Sequence, residues 1–132
     1  KAAHSQQLQQ LFKTHLEETE AQIERLDECF AMLDIQPRAK ACKGMMGIVE
    51  EGEEVIAEGK KKDETAADLA LIGAAQKVEH YEIASYGTAR AWAQQMGYDR
   101  DADLLQKSLD EESMANEKLT QIAESHVNVQ AR

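Results

Sequence analysis

Apolar residues return every three or four positions along almost the whole chain, and runs of β-branched residues are absent. That period belongs to amphipathic helices. It predicts four of them, at about 2–33, 41–58, 64–96 and 100–126, making one domain over 1–132. The interruptions carry helix-stopping chemistry. Asp34-Ile35-Gln36-Pro37 ends the first helix, Gly59 with Lys60-Lys61-Lys62 the second, and Gly97 the third. Asp63 or Thr65 is the expected N-cap of the third helix and Asp99 that of the fourth. Short connections make antiparallel neighbours, so the fold class is all-α, of the four-helix-bundle type.

Projecting each segment at about 100° per residue sorts its polar residues against its apolar stripe. The first helix has a stripe of Leu8, Leu11, Phe12, Leu16, Ile23, Leu26, Phe30 and Leu33. His15 and Thr19 fall inside it and Glu18 at its margin, while Glu17 and Glu20 face solvent. The short second helix gathers Met45, Ile48, Val49 and Ile56 and reads as a lid docked on the bundle. In the third, Ile72, Ala75, Val78, Ile83, Tyr86, Ala89, Ala93 and Met96 fill one arc, and Glu79 and Glu82 lie within it. His80 falls outside, among Gln76, Lys77, Gln94 and Gln95. The fourth has Leu105, Leu109, Leu119, Ile122 and Ala123, with Glu112 near the centre, Glu111 at the edge and Asp110 outside. His126 also projects inward, but about 21 Å along the axis from Glu112, too far to share a site with it.

Carboxylates on a core face are costly unless they sit at a wet rim, share a proton, or hold a cation. A set of Glu79, Glu82, Glu112, His15 and Glu18 offers hard oxygen donors with one imidazole. Iron or manganese suits such donors, zinc or magnesium less specifically. Two metals bridged by carboxylates bind oxygen or peroxide and cycle in oxidation state. The paired Glu-x-x-His motifs usual in such centres do not occur, which leaves catalysis open. The chain has no Gly-rich phosphate loop, H-E-x-x-H, G-x-S-x-G or C-x-x-C, so kinase, zincin, hydrolase and thioredoxin chemistry is excluded.

Charge narrows the partners. Lys and Arg total 15 against 25 Asp and Glu, a formal net charge of −10, so a nucleic acid is repelled. No apolar run approaches the roughly 18 residues of a membrane span. Cys29 and Cys42 are expected to be buried structural thiols in a reducing, cytoplasmic setting.

Two stretches carry a family resemblance. His15-Leu16-Glu17-Glu18-Thr19 with Gln22-Ile23-Glu24-Arg25-Leu26, and Ala75-Gln76-Lys77-Val78-Glu79-His80-Tyr81-Glu82-Ile83-Ala84-Ser85-Tyr86-Gly87, resemble the motifs of the YciE/YciF-like family, and the likeness extends through Leu109-Asp110-Glu111-Glu112. That family is a ferritin-like group of bacterial, cytoplasmic, stress-associated proteins without an established biochemical activity. The resemblance implies a homodimer of helical bundles and a rubrerythrin-like metal site on Glu18, Glu79, Glu82 and Glu112, with His15 nearby. Family members begin with a further helix bearing a glutamate in an L-Y-x-A-E type motif, which nothing in this chain matches. A ferritin-like bundle with its first helix missing is therefore expected. Its uncovered apolar groove would be closed by the lid helix, the missing segment or a second copy. Two functions follow: a metal-binding stress protein with a di-iron or di-manganese site, or a non-catalytic stress or scaffold protein that keeps the fold without a working site.

Overall fold

Ser5 starts the first helix by accepting the amide of Leu8 on its side chain, and α1 runs over Gln6–Met32, beginning later than the apolar period suggests. The preceding residues stay extended because buried Asp68 accepts the backbone amides of His4 and Ser5, at 2.8 and 2.7 Å. In the computed structural model, which describes residues 1–127 apart from the side chains of 126 and 127, three more α-helices follow. They are α2 (Lys43–Gly59), α3 (Glu64–Gln95) and α4 (Asp99–Ile122), and α4 passes into a π-helical turn at Ala123–Val127. No strand forms among the described residues. The side chain of His126 and the tail 128–132 lie outside them.

The helix ends follow local chemistry. Asp63 caps α3 through the amide of Ala66, at 3.0 Å. Gly97 takes a left-handed φ of 78° just past α3, and Tyr98 N–H reaches back to Ala93 O. Asp34, with φ 53°, closes α1 in the same way. Asp99 is not the cap expected of it. Tyr98 holds that position without a side-chain bond, and Asp99 joins Asp101 in the first turn of α4, where both complement the helix dipole.

The helices pack chiefly in the order α1, α4, α3, α2. The interior is organised in steps of seven residues. Leu8, His15, Gln22 and Cys29 line the inner seam of α1, with Ile72, Glu79, Tyr86 and Ala93 on α3 and Leu119, Glu112 and Leu105 on α4. At one end Leu8, Leu71, Ile72 and Leu119 form an apolar cluster, and at the other Cys29, Ala93, Ala102 and Leu105 form a second. Between them lies a polar layer.

This seam corrects part of the expected stripe. Leu16 and Ile23 are 60% and 58% exposed, and Met96 is 63% exposed. The lid also differs from expectation. α2 lies on α3, has no buried residue, and forms one wall of an open groove instead of covering it. Its start is pinned by Cys42, which is exposed instead of buried as Cys29 is, because it caps the helix from the surface with Sγ 2.9 Å from Tyr81 Oη. Gly44 permits that approach, since a Cβ there would stand 2.8 Å from the same oxygen. The groove holds an apolar cavity of about 490 Å³ beside Phe12, Ile48, Val49, Ile56 and Val78.

Candidate metal centre

Helix periodicity and the order of packing bring four residues from three helices to one point. His15 comes from α1, Glu79 and Glu82 from successive turns of α3, and Glu112 from α4. One donor atom from each lies within 4.8 Å of all the others. Donors on a single ion, with bonds of about 2 Å, stand at most about 4 Å apart, so a small inward closure would complete a shell. Glu112 and Glu79 are buried, and His15 and Glu82 are half-buried.

The imidazole sits among the acids. His15 Nε2 is 3.2 Å from Glu79 Oε2 and 3.3 Å from Glu112 Oε2, and Nδ1 is 3.1 Å from Glu18 Oε2. One Nε2–H cannot serve two carboxylates at once. Both oxygens of Glu112 and Oε2 of Glu79 are buried without a well-directed hydrogen bond. Contact with Glu112 and Glu79 raises the His15 pKa to about 11, outweighing the opposing effect of burial. Burial and the charge of Glu112 push Glu82 up to about 7. Burial also raises Glu79, and the facing Glu112 adds to the rise against the opposing pull of His15. Burial alone would raise Glu112 too, but the close approach of His15, and after it of Glu79, reverses the direction and holds it low.

Buried carboxylates that share one imidazole and take no well-directed hydrogen bond are costly, so the donor set fits a cation. Three carboxylates and one imidazole suit a divalent transition metal of the iron or manganese type.

Glu18 stays outside the four-donor group, on the far nitrogen of the ring. His80 is exposed. Glu111 turns to Arg25, which binds it through two nitrogens at 2.7 and 2.6 Å and also reaches Ser108. Burial pushes Glu111 up, yet the Arg25 and Gln22 bonds outweigh it and hold its carboxyl below the usual range. Gln22, 1% exposed, donates to Glu111 and accepts from Tyr86 Oη at 3.3 Å. Of this supporting network only Tyr86 lies in an apolar arc; Gln22, Arg25 and Ser108 do not emerge from one. The available signal is spacing: Gln22 and Tyr86 each stand seven residues beyond a donor.

Comparison with known proteins places this geometry in context. The family "Domain of unknown function (DUF892)" matches residues 1–132. The chain is 46% identical over 132 residues to protein YciF of Escherichia coli (strain K12), a match covering 99% of the chain and 78% of that relative. The crystal structure of the E. coli stress protein YciF is similar with a TM-score of 0.89 at 46% identity, covering 96% of this chain and 79% of that one. YcfI of Rhodopseudomonas palustris, whose description suggests a structural role, is similar with a TM-score of 0.84 at 43% identity, covering 90% and 74%.

Proposed function

The chain belongs to the DUF892 family, and from that premise we propose that it is a YciF-like stress protein holding a divalent metal, iron or manganese, on His15, Glu79, Glu82 and Glu112. The observation that carries this reading is Glu112, fully buried in a helical interior with neither carboxylate oxygen taking a well-directed hydrogen bond. Iron or manganese, when bound, supplies one-electron chemistry toward oxygen or peroxide. The protein's own part is to hold three carboxylates and one imidazole at a point sealed on two sides by apolar clusters. The two-metal centre expected from the sequence would need donors beyond these four, so the reading here is one ion.

Metal analysis of protein purified without chelators tests it, together with thermal unfolding in added Mn²⁺. About one equivalent of metal is expected, and a gain of about 2.7 kcal/mol at a hundredfold excess over Kd. Glu79→Gln should lose both. Protein that takes up no iron or manganese would refute the reading.

The second reading is a structural stress protein without a metal. One observation favours it: the His15 ring already stands as a counter-charge between Glu79 and Glu112. The same metal analysis separates the two.

Homodimerisation and a cytoplasmic setting complete the proposal. No described helix is long and apolar enough to cross a membrane. Leu16 and Ile23 on α1, and Val49 and Ile56 on the α2 wall of the groove, are exposed. Covering such a surface contributes roughly 25 cal/mol per Å², which supports a two-fold pairing through the long helices. Light scattering at micromolar concentration should report a dimer, and a clean monomer of 14.7 kDa would refute the pairing.

A further inference from the structure

Among the acids expected to bind metal, Glu18 is the one that lies outside the four-donor group. Its Oε2 stands 3.1 Å from His15 Nδ1, while the opposite ring nitrogen, Nε2, faces Glu79 and Glu112. The pair is spaced i and i+3 on α1, so helix geometry itself sets the contact. Both side chains are partly shielded, 14% and 31% exposed, which limits competition from water. A ring that gives its Nδ1–H to a carboxylate is locked in one tautomer and one orientation, with the Nε2 lone pair presented on the other side.

We infer that Glu18 is a positioning residue and not a ligand: it accepts the Nδ1–H of His15 and so fixes Nε2 as the atom that meets the metal. The inference rests on the metal reading above. It assigns Glu18 a task that a shared set of inward acids conceals, because a residue three positions along the helix from a ligand can reach either the ion or the ligand's far side. Here the contact is to the far side.

Co²⁺ serves as the probe, since its visible bands report the coordination shell while titration reports affinity. Glu18→Ala should weaken Co²⁺ binding about 10- to 100-fold and leave the band positions and intensities of the bound form unchanged. Glu18→Gln should recover most of that loss, because its amide oxygen still accepts from Nδ1–H. Glu82→Gln, which alters the shell itself, should change the bands. Altered bands in either Glu18 variant would overturn the inference in favour of direct ligation, and unchanged affinity in Glu18→Ala would overturn it in favour of no role. Should Glu18→Ala fail to fold, Glu18→Leu, close to glutamate in size and unable to accept from Nδ1–H, takes its place: weaker binding with unchanged bands supports positioning, and unchanged affinity overturns it. A wild-type chain that develops no Co²⁺ bands would refute the metal reading, and this inference with it, before any variant is compared.

Discussion

Replacing His15 with alanine is expected to destabilise the metal-free protein by about 3–5 kcal/mol at neutral pH. The ring is the cation within ion-pair distance of buried Glu79 and Glu112. Without it, those carboxylates keep their burial and mutual repulsion and lose their compensation. The pH dependence follows from the shifts. His15 has a folded pKa of about 11, above its ordinary 6.5, so its contribution is complete below 6.5 and fades as pH rises toward 11. Glu112 is shifted the other way, so its contribution is present above the ordinary carboxylate pKa of 4.5 and is lost as pH falls toward 2. Glu82, already near 7, and Glu79 take up protons readily in mild acid, which relieves the variant more than the wild type. The gap between the two proteins should therefore be widest around neutrality and narrow by about pH 5. Urea unfolding across that range measures it. Equal stability at neutral pH would show that the ring does not hold the layer together.

The opposite result is expected when the three seam positions of the layer are made apolar together. His15→Leu, Glu79→Leu and Glu112→Leu together should stabilise the protein by about 1–4 kcal/mol, because desolvating an ion cluster costs more than its internal attractions return. The neighbouring step of the seam shows the space is suitable: Leu8, Ile72 and Leu119 occupy the corresponding positions and are buried. The same variant should lose all response of its thermal midpoint to Mn²⁺. A stabler protein without metal response would mean that the polar layer is retained for what it binds. A destabilised one would mean that the layer supports the fold in its own right.

How much of this was legible in the sequence differs by residue. Glu79, Glu82, Glu112 and His15 could be placed inward because each interrupts an apolar arc, and a charge in such a place is informative wherever the helix goes. Leu16 and Ile23 could not be placed correctly by the same means. An arc averages both flanks of a helix, and only the packing order decides which flank meets a neighbour. In α1 the packed flank is the one against α4, and Leu16 and Ile23 fall beside it and remain exposed. Glu18 shows the same limit more finely. Periodicity puts it beside His15, but which ring nitrogen it meets is a matter of rotamers. Arg25 and Ser108 were illegible for a plainer reason. Arg25 is partnered by a carboxylate 86 positions away, a relation that no local pattern records.

The seven-residue seam also bears on how such a chain can change over time. Substitutions at a seam position alter one step and leave the others in place. A single-residue deletion between Leu8 and Cys29 would rotate everything beyond it by about 100°, turning several inward residues outward together. Lengths within α1, α3 and α4 are thus constrained more tightly than identities, and gaps of whole heptads are the ones the interior can absorb. Freedom in length belongs to the connections at 33–42 and 60–63, which lie outside the seam and carry none of the four gathered donors.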